Sequence, residues 1–282
     1  MKHLHSVFLL LGLLLLANAC QKEDDYNIQN LNHNNIMILG HAGMGEFYKY
    51  PNDSWESIEP VLGIGADGTE MDVQITKDSV LILFHDETLD GRTKCGNYQS
   101  PYHYNWAEIQ NCLYNNAFFE IPICTVDEVF SRIPNLTNYY FSFDIKLNSE
   151  FQNDSAYRDL FLRAIKRVCE KHYISKNVFI EGDLDMQLKA KQLGLKTKGI
   201  LIGSNVDEAV KNNIFGIGFT VDASKDEIEY AHQKGIYVMM WGAKSDAGNK
   251  KAIELNADFL QTDKPIPMLM LFSRFNYSYK IP

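Results

Sequence analysis

The sequence predicts an α/β fold, a TIM (β/α)8 barrel with a small insertion after the third strand. Three observations predict it. Short apolar runs alternate with amphipathic helical stretches along almost the whole chain. That alternation implies parallel strands joined by crossover helices. The 282 residues, 45% of them hydrophobic, suit a closed eight-stranded barrel better than an open doubly wound sheet, since such barrels typically run about 250 residues.

The chain begins with a segment that does not belong to that fold. Lys2 precedes the ten-residue apolar run Val7–Leu16, followed by Ala17-Asn18-Ala19-Cys20. Ten apolar residues are too few for a stable bilayer span, which needs roughly 20. The pattern resembles a bacterial lipoprotein signal. That resemblance implies removal of residues 1–19, a lipid on Cys20 and attachment to a membrane. Gln21-Lys22-Glu23-Asp24-Asp25 resembles the acidic signals that carry some lipoproteins outward, so an outer-membrane lipoprotein, periplasmic or surface-exposed, is expected. Residues 20–35, polar and Asn-rich, read as a tether, and the barrel domain as 36–282.

Strands are expected at Ile36–Leu39, Thr69–Val73, Val80–Phe84, Tyr139–Asp144, Val178–Ile180, Gly199–Ile202, Gly216–Phe219, Tyr237–Trp241 and Phe259–Leu260. These are nine candidates for eight places. The link Gln74–Ser79 is also too short for a crossover helix, so the regular pattern breaks there. Between most strands lie helical patterns. Ser54–Leu62 opens with a Ser cap, and Ser155–His172 sets Leu160, Ala164, Ile165, Val168 and Cys169 on one stripe. Glu87–Thr125 has too much Tyr, Asn and Cys for one barrel unit and reads as an insert over the barrel mouth. Cys95, Cys112 and Cys124 share that irregular stretch, which suits a bridge within the trio. Cys169 reads as core. A net charge of −9 with no run of five or more Lys or Arg argues against nucleic acid as a partner.

Chemistry in a barrel gathers at the C-terminal ends of the strands. Those ends carry His41, Glu70 and Asp72, His85, and Asp144 with Lys146. Glu70 and Asp72 are two residues apart and so share a strand face. Two inward carboxylates repel unless a cation joins them. With Asp144 they form a hard oxygen set suited to one divalent cation, Mg²⁺ or Ca²⁺. His41 and His85 beside it suit general acid–base work. Trp241 ends the eighth strand candidate and is a candidate contact for the alcohol part of a substrate. Glu181 and Asp183 read as solvated edge charges, and His103, His172 and His232 as surface groups.

Longer motifs narrow the reading. They are Gly40-His41-Ala42-Gly43, the run from Gly65 to Asp78 containing Glu70-Met71-Asp72, and Leu83-Phe84-His85-Asp86-Glu87-Thr88-Leu89. With Thr125–Val129, Trp241-Gly242-Ala243 and Gln261-Thr262-Asp263-Lys264-Pro265, they resemble the glycerophosphodiester phosphodiesterase family over about Ile36–Pro267. The resemblance implies a metal-dependent hydrolase that cleaves a small-molecule glycerophosphodiester to glycerol 3-phosphate and an alcohol. It implies His41 and His85 as catalytic, Glu70, Asp72 and Asp144 as metal ligands, and Lys146 as a phosphate contact. Two positions depart from the family pattern. Ala42 stands where the family has Arg, and Asn52 where it has Glu. Lys49, in the lengthened loop Met44–Tyr50, is a candidate replacement for the missing charge. Two other readings remain open: the same fold acting on a phospholipid or sphingolipid diester, and a non-catalytic surface binding protein.

Overall fold

The computed structural model describes residues 26–282, apart from 97, 98, 117 and 204. Residues 1–25, and with them the signal segment and Cys20, lie outside the described residues.

The chain runs β1 (Met37–Gly40), α1 (Trp55–Gly63), β2 (Gly68–Ile75), β3 (Leu81–Leu83), α2 (Trp106–Ile109), β4 (Cys124–Thr125), α3 (Val126–Arg132) and β5 (Tyr140–Ile145). It continues through α4 (Ser155–Lys171), β6 (Val178–Gly182), α5 (Leu184–Gln192), β7 (Lys198–Ile202), α6 (Val206–Lys211) and β8 (Gly216–Thr220). The last elements are α7 (Lys225–Gln233), β9 (Tyr237–Ala243), α8 (Asp246–Glu254), β10 (Phe259–Thr262) and α9 (Pro265–Leu271). β3 pairs antiparallel with β2 and with β4, and the ring strands all pair in parallel. They close into a barrel because β1 pairs with β10 on one side (Met37↔Phe259) and with β2 on the other (Leu39↔Gly68).

Both faces of these strands are buried, which is why they read as continuous apolar runs rather than alternations. Leu39, Phe179, Ile200, Met239 and Phe259 fill the barrel interior. Ile38, Met71, Val73, Phe143, Ile180 and Met240 face outward against the helices. α4 contributes Phe161, Leu162, Ala164, Ile165, Val168 and Cys169 to that layer. Its start is capped by Asp154, whose carboxylate accepts from the N–H groups of Ala156 and Tyr157.

The ninth strand candidate is resolved by a hairpin. β3 pairs antiparallel with β2 (Val73↔Leu83, Ile75↔Leu81), so it lies outside the barrel ring. The short link that cannot hold a crossover helix is a tight turn, closed by Thr76 N–H donating to the Val80 carbonyl. The insert therefore leaves the barrel between its second and third ring strands. It has its own core, including Phe84, Leu89, Ile109, Tyr114, Ile121 and Ile123. A Cys95–Cys112 disulfide closes it, while Cys124 and Cys169 are free thiols. Closing a loop of this length contributes roughly 3 kcal/mol through the unfolded state.

The polar stretch expected as a tether is docked from Tyr26 onward. Gln29 N–H donates to Asn256 Oδ1, Asn30 Nδ2 to the Ala257 carbonyl and Asn32 N–H to Asp258 Oδ1. Residues 256–258 precede β10, so this segment lies across the N-terminal floor of the barrel, opposite the mouth. The Asn30 side chain satisfies backbone carbonyls of Asn35 and Ala257 there. Among the described residues no helix is long and apolar enough to cross a membrane.

Candidate active site

The register of β2 against β5 sets Asp72 beside Asp144, and Glu70 lies two residues away on the same face of β2. Ligand oxygens of these three carboxylates lie within 4.8 Å of one another. Glu70 and Asp72 are almost fully buried. Burial first, then the charges of Asp72, Asp53, Asp144 and Glu181, push the Glu70 carboxyl well above the usual carboxylate range. Its Oε2 accepts the Ala42 N–H at 2.7 Å, whereas Oε1 is buried without a hydrogen-bond partner. A buried acceptor left unpaired costs about 1–3 kcal/mol, more for a charged group. A hard dication held by these oxygens removes that cost and the mutual repulsion together, so the donor set fits one. Lys146 supplies part of the compensation. Its Nζ lies 2.6 Å from Asp144 Oδ2 and 3.0 Å from Asp72 Oδ1. Burial alone would lower the Lys146 pKa, but the two carboxylates outweigh it and raise it.

The backbone brings the histidines to this cage. His41 follows β1, with its N–H on the Thr262 carbonyl at 3.1 Å. The turn after it admits little bulk, since a Cβ on Gly40 would lie 1.9 Å from the Gly43 carbonyl oxygen. His41 Nδ1 is 2.8 Å from Asp263 Oδ1, and its Nε2 is 3.9 Å from Glu70 Oε2. Burial opposes protonation of His41, but the Asp263 hydrogen bond and charge, with Asp72, outweigh it and raise the pKa. His85 lies just past β3. Gln74 Nε2 holds its flanking carbonyls, Phe84 at 2.9 Å and Asp86 at 2.7 Å. His85 Nδ1 is 2.8 Å from Asp86 Oδ1, whose other oxygen accepts Arg92 Nε at 2.9 Å. Each histidine thus has a carboxylate on Nδ1.

Two cavities meet at His85. One, about 470 Å³, is lined by Asp144, Lys146, Leu147, Met186 and Ile202 among others. The other, about 240 Å³, lies between the loop after β1 and the insert, and holds Lys49, Tyr50, Arg92 and Tyr114. Lys49 is therefore on the His85 side of the mouth. Trp241 lines neither cavity. Its indole lies over Gly218 of β8, where an added Cβ would meet it at 2.5 Å. The reading of Glu181 as a solvated edge charge needs correction, while Asp183 is exposed as expected. Glu181 is buried inside the barrel, accepting from Ser142 Oγ and Gln261 Nε2. Asp183 caps α5 and holds Arg158 through both carboxylate oxygens. His103, His172 and His232 pair with Glu150, Asp127 and Asp258.

The sequence pattern of the glycerophosphoryl diester phosphodiesterase family matches residues 41–266. The chain belongs to that family. A Bacillus altitudinis glycerophosphodiester phosphodiesterase is 30% identical over 113 residues, 39% of this chain and 44% of that protein's length. A Caldanaerobacter subterraneus glycerophosphodiester phosphodiesterase is 22% identical over 245 residues, 83% of this chain and 97% of that protein. Among solved structures, an Oleispira antarctica phosphodiesterase in complex with the product sn-glycerol-3-phosphate superposes with a TM-score of 0.72 at 14% identity. That superposition covers 84% of this chain and 96% of the other. Proteins of the glycerophosphoryl diester phosphodiesterase family typically depend on a divalent metal, in keeping with the buried acidic cluster.

Within this family member the position of the missing Arg is distinctive. Ala42 is fully buried with φ 46°, and its N–H is committed to Glu70. Sequence reasoning assigned no role to Asp263, Asp86, Arg92 or Asp53. Asp263 directly follows β10, so its place at a strand end was a usable signal. Arg92 and Asp53 sit on irregular loops, where no periodicity marks a side chain as inward.

Proposed function

We propose that this chain is a metal-dependent hydrolase of glycerophosphodiesters, releasing glycerol 3-phosphate and an alcohol. The observation that carries the reading is the Glu70–Asp72–Asp144 cage with its unpartnered Glu70 oxygen, flanked by two histidines each held by a carboxylate. Glu70, Asp72 and Asp144 would hold one Mg²⁺ or Ca²⁺, which when bound supplies a Lewis acid for the phosphoryl oxygens. Lys146 adds a fixed positive charge for the same oxygens. His41, held by Asp263, takes a proton from the attacking water, whose oxygen bonds to phosphorus as the P–O bond to the alcohol breaks. His85 stands where the two cavities meet and returns a proton to the departing alkoxide. Trp241, which lines neither cavity and packs over Gly218, is given no substrate contact.

The test is release of glycerol 3-phosphate from glycerophosphoglycerol by the purified protein. Chelation is expected to abolish it and added Mg²⁺ or Ca²⁺ to restore it. Undiminished turnover after exhaustive chelation would rule the reading out.

The proposal extends to location. Cys20 carries a lipid that anchors the mature chain to the outer membrane, and the acidic Gln21–Asp25 directs it outward. Only residues 21–25 separate Cys20 from the segment docked on the barrel floor. Chain spans at most about 3.6 Å per residue, so the floor faces the membrane and the mouth opens away from it. That favours a soluble diester over an intact bilayer lipid. Cys20→Ser is expected to move the protein from the membrane fraction to the soluble fraction. Continued sedimentation with membranes would remove the anchor.

A further inference from the structure

Charge is divided between the two ends of the barrel. The chain has a net charge of −9, and its mouth-side loops carry Glu46, Glu150, Asp183 and Asp222 among other carboxylates. Four consecutive turns at the floor, the ones that lead into β6, β7, β8 and β9, hold none. They are residues 172–177, 193–197, 212–215 and 234–236. Each has an exposed lysine within it or directly before it: Lys176, Lys196, Lys211 and Lys234.

The lysines are neighbours because β6 to β9 are consecutive in the sheet. Side chains tie their turns together. Lys191 Nζ donates to the carbonyls of Asn212 and Asn213. Lys198 Nζ, on β7, lies 4.9 Å from the ring centre of Tyr140 and 5.1 Å from those of Phe179 and Phe215. The nearby carboxylates are paired elsewhere or set back. Glu170 lies 3.9 Å from Lys166, and Glu229 lies 3.5 Å from Lys225. Asp258 is buried, bonded to His232 Nε2 and to the Val238 N–H. Glu208 stands about one helical turn above Lys211, and Glu254 belongs to the next unit. Among the described residues the four lysines pair with no carboxylate, and Lys234 rests 5.2 Å from the Tyr230 ring. Helix dipoles favour lysine at a helix C-terminus, which accounts for Lys211 and Lys234. Lys176 and Lys196 lie beyond the α-helices and gain nothing from them. Tyr173, on the same edge, is 88% exposed, and tyrosine is common where protein meets lipid head groups.

We propose that this sector of the floor is a docking surface for an anionic lipid bilayer, with Lys176, Lys196, Lys211 and Lys234 set against its phosphate head groups. It rests on the anchor reading above for one point: the lipid on Cys20 lies a few residues from the segment docked on the floor, which brings this end of the barrel to the membrane. One lipid anchor together with a basic surface supplies the two signals that stable attachment takes. Each lysine close to an anionic surface strengthens binding by about fivefold. The acidic mouth is repelled by the same surface, so the two ends of the barrel together fix its orientation.

The experiment takes residues 20–282 with Cys20→Ser, which carry no lipid, so the result depends neither on acylation of Cys20 nor on catalysis. It measures co-sedimentation with vesicles of phosphatidylcholine alone and of phosphatidylcholine mixed with phosphatidylglycerol. Binding is expected only to the anionic vesicles. Salt at about 1 M, which shortens the screening length to about 3 Å, is expected to release it. Lys176→Gln combined with Lys196→Gln is expected to weaken binding by about twentyfold. Lys225→Gln combined with Lys251→Gln makes the same change in net charge on the mouth side, where Lys251 bonds to Asp222 at 3.0 Å, and is expected to leave binding unchanged. Circular dichroism checks that each variant is folded. Equal binding to both kinds of vesicle, no binding to either, or equal loss in the two variants overturns the proposal. Binding that emerges only when Glu23→Gln, Asp24→Asn and Asp25→Asn are combined also overturns it, and assigns the floor to the chain's own acidic tether.

Discussion

His85→Ala is expected to lower kcat on glycerophosphoglycerol by about 10²–10⁴-fold, the usual worth of a positioned proton donor. On a p-nitrophenyl phosphodiester of glycerol the same variant is expected to fall by less than about tenfold, because nitrophenolate leaves without a proton. His41→Ala is expected to be impaired on both substrates. The asymmetry follows from position. His85 is the one described residue shared by the larger, cage-side cavity and the smaller one. His41 lies 3.9 Å from the cage through Nε2, and Asp263 raises its basicity against the opposing effect of burial. Asp263→Asn is expected to track His41→Ala in direction, since an amide cannot stabilise the imidazolium as a carboxylate does. Nitrophenyl activity lost in His85→Ala and kept in His41→Ala would exchange the two roles.

The residues in this argument differ in how visible they were from sequence. Glu70, Asp72 and Asp144 were legible because strand periodicity fixes which side chains share a face, and adjacent parallel strands bring equivalent positions together. His41 and Lys146 followed from the same logic at strand ends. His85 was legible for a different reason than its outcome. Val80–Phe84 read as a barrel strand by its apolar run, but a three-residue strand can equally close a hairpin, and only the pairing of Val73 with Leu83 decides it. Burial of Glu181 was hidden because its partners, Ser142 and Gln261, lie 39 and 80 residues away in sequence. The Arg92–Asp86–His85 chain was equally hidden. It depends on how the insert folds back over the mouth, which is set by its small separate core and the Cys95–Cys112 bridge rather than by any local pattern.

The metal-free protein is expected to lose stability as pH rises from 5 to 7.5, against the common trend for acidic proteins. The cause is the carboxyl cluster. Burial first, then the charge of Asp144, pushes Glu181 up to about 7, while the Ser142 and Gln261 hydrogen bonds pull the other way and do not prevail. A carboxyl with a raised folded-state pKa holds its proton in the folded chain after the unfolded chain has released it. The stability it lends is therefore complete below the unfolded value near 4.5 and gone once pH has risen through the folded value near 7. The difference is on the order of 3 kcal/mol. Glu70, raised by burial and by its carboxylate neighbours, acts in the same direction. Asp127, Asp183 and Asp263, all held below the usual carboxylate range, act in the opposite direction, but only as pH falls toward 4. Urea titrations of chelated protein across this range read the slope. Glu181→Gln preserves an acceptor for Ser142 and Gln261 while removing the ionisation, so it is expected to flatten the slope and stabilise the metal-free protein at pH 7.5. Saturating Mg²⁺ or Ca²⁺ is expected to recover stability at pH 7.5 in wild type, by about 2.7 kcal/mol at a hundred times Kd, and to fail in Glu70→Gln. A metal-free slope of the ordinary sign, unchanged by Glu181→Gln, would show that the cluster is neutralised by the protein itself, with Lys146 sufficient for the purpose and no cation required to hold the mouth together.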